Sequence, residues 1–181
     1  MLHIIKCKAL VVRKRDYHEA DQIISFFTRE LGKVTVRARG VRKCQSRRAA
    51  SLDLFNLLSI NLYQKGDFFT LTESKLLYEF PILKSSLYKI SLSFQVFELL
   101  DKMLAEEQEQ ASLFDKTTLL LYQIEKAFDG EQEKVSEFKR TVLDELGFGN
   151  IEQISALELD AYIESILEKR LNSLLFLTGL N

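Results

Sequence analysis

Three groups of side chains in this sequence have types and spacings that could do chemistry. The first is "YHEAD", where His18, Glu19 and Asp21 bring metal-competent groups together. His18 and Glu19 are adjacent, however, and nothing nearby adds a third ligand at a usual zinc spacing, so a solvated polar turn is expected. The second group is the thiols, Cys7 and Cys44. Neither lies near a histidine in sequence, and two cysteines cannot complete a four-ligand zinc site; Cys7 sits in a strand-like run, as a small core residue would. The third is "KVTVRARGVRKCQSRR", residues 33–48, with seven cations, Lys33, Arg37, Arg39, Arg42, Lys43, Arg47 and Arg48, and no carboxylate.

The glycines around this basic run match neither the dinucleotide fingerprint nor the P-loop, so the charge does not belong to a nucleotide cradle. An enzyme, a cofactor, a metal ion and a small-molecule substrate are therefore not expected. Crowded cations repel one another, and a polyanion that releases its counterions on contact relieves that repulsion. Nucleic acid is the expected partner, with all seven cations as candidate binding residues and Arg39, Arg42, Lys43, Arg47 and Arg48 as the phosphate contacts. The rival explanation is internal: the acidic part of the chain covers the basic face. Lys14 and Arg15, by contrast, read as surface decoration.

The elements that must position these residues change character midway. The formal net charge of −1 conceals +7 over residues 1–80 and −8 over residues 81–181, and the only proline, Pro81, falls at the switch. A boundary near residue 80 is expected, giving domains 1–80 and 81–181. Before it, Val34, Val36 and Ala38 alternate with Lys33, Thr35, Arg37 and Arg39, which predicts a half-buried strand with a cationic outer face. "NLLSINLYQ" alternates likewise and turns Tyr63 outward; "KALVVRKR", "QIISFFTRE" and "DFFTLTESKLLY" make five strands in all. Five short strands with a long third connection, with room for a short helix around "SRRAAS", predict an OB-type barrel. On such a face Tyr63, and Tyr17 at the first turn, are candidates for stacking on bases of a single strand.

Beyond the boundary the apolar period lengthens. Ile90, Phe94, Phe97, Leu100 and Leu104 form one stripe; Leu120, Leu121, Ile124, Ala127 and Phe128 a second; Val135, Phe138, Val142 and Leu146 a third; Leu159, Tyr162 and Ile166 a fourth. The fold class is α+β, an N-terminal five-stranded OB-fold β-barrel followed by a C-terminal helical bundle of about four helices, with "AEEQEQ" as a connector. Scarce cysteine suits the reducing cytoplasm. "MLHIIKCKALVV" is interrupted by Lys6 and Lys8, and "LLFLTGL" is too short to cross a bilayer, so neither export nor membrane insertion is expected.

The sequence resembles the RecO family of bacterial recombination mediators. "RDYHEADQIISFFTRELGK" is similar to that family's signature through Tyr17, Glu19, Asp21, Ile23, Thr28, Gly32 and Lys33; "ARGVRKCQSR" follows with Gly40, a basic pair and Ser46. "GDFFTLTESKLLYEFP" resembles the stretch that closes the family's barrel, while "LDELGF" and "KRLNSLLFL", with Arg170, Leu171 and Ser173, match the helical half more loosely. The resemblance implies a non-catalytic role in recombinational repair: binding of single- and double-stranded DNA, annealing of strands coated by single-strand-binding protein, and loading of RecA together with RecR. It places the DNA face on the basic residues from Lys33 to Arg48, makes Glu19 and Asp21 turn residues, and suggests that helical grooves receive the acidic, phenylalanine-ended tail of single-strand-binding protein. Many family members carry a four-cysteine zinc module after the "LGF" helix; here Phe148 leads through "GNIEQIS" into the next helix with no cysteine, so zinc is not expected. An RNA-binding OB module and a protein adaptor with a basic docking face are the rival functions.

Overall fold

A computed structural model describes residues 4–43, 46, 48–149 and 154–173. The described residues among the first 80 form five strands, β1 (Ile4–Tyr17), β2 (Asp21–Thr28), β3 (Gly32–Ala38), β4 (Leu57–Lys65) and β5 (Phe68–Tyr78). They close a barrel in the order β1-β2-β3-β5-β4, antiparallel except for the parallel β3–β5 pair. This is the OB arrangement the alternating pattern predicts. The inward row is made by every second residue: Cys7, Ala9 and Val11 on β1, Ile24 and Phe26 on β2, Val34, Val36 and Ala38 on β3, with Leu58, Ile60, Leu62, Phe69 and Leu71 completing the core.

One long strand serves two neighbours because it is bulged. β1 pairs with β4 through residues Ile4 to Leu10 and with β2 from Ala9 to Tyr17, and the register slips between Val11 and Arg13. The extra residue, Val12, bends the strand around the barrel end. The β3–β4 connection, 39–56, supplies Val41 and Leu52 to the same core. Its described residues form turns, with Leu52 N–H donating to the Arg48 carbonyl, and none of the described residues of "SRRAAS" is helical.

The chain divides into two compact units. The barrel unit includes residues up to Glu79 and also Leu104–Phe114, a segment that contains "AEEQEQ", the connector expected in the helical half. Phe27 points out of the barrel, yet it is fully buried, and its ring meets Phe114 edge-on at 5.5 Å between centroids. Glu107 N–H donates to the Lys33 carbonyl at 2.8 Å, which extends β3 by one parallel bridge. Gly32 permits this approach: its φ is +70°, and a Cβ there would lie 1.8 Å from the Gln108 carbonyl oxygen.

The other unit comprises Phe80–Met103 and the residues from Asp115 onward. Its helices are α1 (Pro81–Ser85), α2 (Leu87–Met103), α3 (Ala111–Lys126), whose first turn belongs to the barrel unit, α4 (Glu131–Glu145) and α5 (Ala156–Leu167). α1 is additional to the four expected; Pro81 opens it, and the buried carboxylate of Glu125 accepts from Ile82 and Leu83 N–H. Ser155 and Glu158 form a capping box on α5. Two stripe residues depart from expectation: Phe94 is partly exposed, and Phe128 is fully exposed because α3 stops at Lys126 and the helical period stops with it. Among the described residues no helix is long and apolar enough to cross a membrane.

Candidate nucleic-acid interface

β3 alternation turns Lys33, Thr35 and Arg37 outward, but the chain's own groups occupy much of that row. Lys33 is only 11% exposed, with its ammonium 3.6 Å from Glu106, and the Thr35 hydroxyl donates to the same carboxylate at 3.3 Å. Arg37 donates to Asp21 Oδ2 from Nε at 2.9 Å and from a terminal nitrogen at 2.7 Å. Gly40 N–H holds the other oxygen of Asp21 at 2.8 Å. That backbone bond, then the Arg37 side-chain bond, lowers the Asp21 pKa below the usual carboxylate value. The Arg37 guanidinium lies 5.3 Å from the centroid of the Tyr17 ring, a cation–π arrangement that fixes both.

In the β3–β4 connection the arginines have unequal roles. Arg42 pairs with Asp16 at 3.1 Å and donates to the His18 carbonyl at 3.4 Å. Arg48 donates to the carbonyls of Leu71 at 3.2 Å and Arg39 at 2.8 Å, so its guanidinium ties the connection to β5. Arg39 and Lys43 are exposed, and among the described residues their side chains make no hydrogen bond or ion pair. Arg47 lies outside the described residues.

Register assembles a row that no single stretch of sequence contains. Arg15 pairs with Ile23 and Ile23 with Arg37; Arg37 pairs with Thr70 and Thr70 with Tyr63. Paired residues share a face, so Arg15, Arg37 and the half-buried Tyr63 stand on one outer row of the barrel. Arg13, next on β1, is also exposed and pairs with Ser25 in the adjacent row. Sequence reasoning treated Lys14 and Arg15 alike, but Lys14 bonds Asp53 at 2.8 Å whereas Arg15 joins the Arg37 row. The alternation within "VVRKRDY" carried that distinction.

The arrangement suits binding of an extended anion: arginines fan over a convex sheet, and the flanking tyrosines offer flat apolar faces. Groups for covalent chemistry are differently placed. Cys7 is buried in the barrel, and burial, with a smaller contribution from Glu30, pushes its thiol up to about 12. Among the described residues no group of three or more His, Cys, Asp or Glu side chains could hold a metal ion.

Two family descriptions match the chain, one after the other. Residues 1–80 match the family described as Recombination protein O N terminal, and residues 85–152 match Recombination protein O C terminal. A DNA repair protein RecO of Listeria welshimeri is 32% identical over 124 residues, 68% of this chain and 49% of that protein. Those of Halalkalibacterium halodurans (31% over 118 residues, 65% of this chain and 45% of that protein) and Salinibacter ruber (32% over 123 residues, 67% and 47%) are similar as well. The matched stretch spans about half the length of these relatives. With both terminal families matched in order and identity sustained across two thirds of its length, the chain belongs to the RecO family.

Proposed function

We propose that the barrel, residues 1–80, binds single-stranded DNA along its outer face, and that the protein acts without catalysis in DNA repair and recombination. The observation that supports this most directly is the Arg15–Arg37 row, with the unpartnered side chains of Arg39 and Lys43 beside it among the described residues. Arg15, Arg39, Lys43 and Arg47 contact phosphates; Arg42 does so by exchanging Asp16 for the backbone. Lys33, Arg37 and Arg48, being engaged by Glu106, Asp21 and backbone carbonyls, set the positive field and hold the loop. Neutralising one strand lowers the electrostatic barrier to pairing with its complement, so annealing needs no bond-making step, and double-stranded DNA binds the same face through its backbone alone.

The family relationship extends the proposal to RecR, to RecA loading and to single-strand-binding protein. In the helical unit, Leu119, Tyr122 and the fully exposed Phe128 line an open groove together with Lys126, Asp129 and Lys134. Exposed apolar side chains beside two lysines, against the one carboxylate of Asp129, complement an acidic tail ending in phenylalanine, and we assign that groove to the tail of single-strand-binding protein. Titration of a labelled single-stranded oligonucleotide at several salt concentrations tests the DNA reading. With about five phosphates neutralised, affinity falls with a log–log slope of roughly −3.5; absence of binding at low salt would instead favour a protein adaptor, and preference for RNA of the same sequence an RNA-binding module.

A further inference from the structure

We propose that Phe68, at the start of β5, stacks on a base of the bound single strand; this rests on the DNA-binding reading above. The sequence places two phenylalanines side by side, and strand alternation can bury only one of them. Phe69 turns inward, pairs with Val36 and is 5% exposed, whereas Phe68 is 79% exposed. An apolar ring left in water at a strand end does nothing for the barrel core and is open to contact with another molecule.

Its neighbours indicate which molecule. Phe68 is two residues from Thr70, on the same outer face, and Thr70 pairs with Arg37 on one side and Tyr63 on the other. Lys65, exposed and two residues beyond Tyr63, is the register partner of Phe68. The ring therefore stands among Arg37, Lys65 and Tyr63, within about 7 Å along β5 of the row that carries the phosphate-binding charge. A flat apolar surface interleaved with cations complements a nucleotide, which offers a base face and a phosphate at each step.

The test uses the full chain with two labelled probes of about 15 nucleotides, oligodeoxythymidylate and an abasic oligomer of equal length and charge. Wild type binds the thymidylate probe more tightly than the abasic one. Phe68→Leu keeps an apolar side chain but loses the π face; it weakens thymidylate binding by about 5- to 150-fold and leaves abasic binding and the salt slope unchanged. Phe68→Tyr restores thymidylate binding. If Phe68→Leu equals wild type on thymidylate while binding remains salt-sensitive, the stacking role is overturned and the DNA reading stands. If wild type binds neither probe at low salt, both fall together.

Discussion

Asp21 grips Arg37 through one oxygen, Oδ2, at 2.9 and 2.7 Å, while its other oxygen holds the Gly40 amide at 2.8 Å. One carboxylate thus aims the arginine at the middle of the outer row and fixes the turn from which the basic connection departs. Gly40 adopts φ +68°, a conformation that an L side chain rarely takes, so the turn depends on both its glycine and its anchor.

Asp21→Ala and Arg37→Ala are therefore expected to be non-additive. A double-mutant cycle in urea should give a coupling well outside the 0.3–0.5 kcal/mol within which independent sites add. The Asp21 pKa is lowered, first by Gly40 N–H and then by Arg37, so its contribution is present above the ordinary carboxylate range and lost as pH falls through the lowered value. Simple additivity would mean that the bond between Asp21 and Arg37 contributes nothing to the fold.

Gly32→Ala tests the seat of the 104–114 segment. The substitution combines φ +70° with a Cβ 1.8 Å from the Gln108 carbonyl oxygen. The backbone strain alone costs about 1–3 kcal/mol, and displacement of the segment adds to it. A urea midpoint unchanged from wild type would show that the segment does not rest on Gly32.

Sequence patterning exposed the barrel because period two is local: Val34, Val36 and Ala38 announce their face within five residues, and all three lie in the core. The cations were legible as a group for the same reason. Their individual roles were not, because the partners come from elsewhere in the chain. Asp21 is 16 residues from Arg37, Glu106 is 71 from Thr35, and the Arg48 acceptors are backbone carbonyls that composition does not reveal. Phe68 was hidden by its neighbour, since an apolar pair reads as core until register decides which ring points inward. Phe128 misled in the opposite direction, for it continues an apolar stripe beyond the helix that gave the stripe meaning.

Acid should loosen the helical unit through Glu98. This α2 carboxylate accepts from Asn172 N–H at 2.9 Å and Ser173 N–H at 2.7 Å and lies 2.6 Å from the Lys102 ammonium. Burial alone would raise its pKa, but Lys102 and the two amides outweigh burial and hold it at about 2. The stabilisation is complete above the ordinary value of about 4.3 and disappears as pH falls toward about 2. Glu98→Gln should be less stable than wild type at pH 7 and match it near pH 2 in urea unfolding; a pH-independent gap would contradict the assignment.

The helical groove gives a separate expectation. Lys126→Glu with Lys134→Glu should reduce binding of a peptide carrying the acidic tail of single-strand-binding protein by tenfold or more, roughly 1.4 kcal/mol, with DNA affinity unchanged. Equal peptide binding by the variant would remove the groove from the proposal.

Fluorescence anisotropy of a labelled single-stranded oligonucleotide across a salt series, with wild type and Arg39→Ala/Lys43→Ala compared, tests the central claim most directly. Wild type should give a log–log slope of roughly −3.5 that becomes shallower by about 1.4 in the variant, about 0.7 for each lost phosphate contact, with thermal stability unaltered. A flat salt response, or a variant slope identical to wild type, would contradict it.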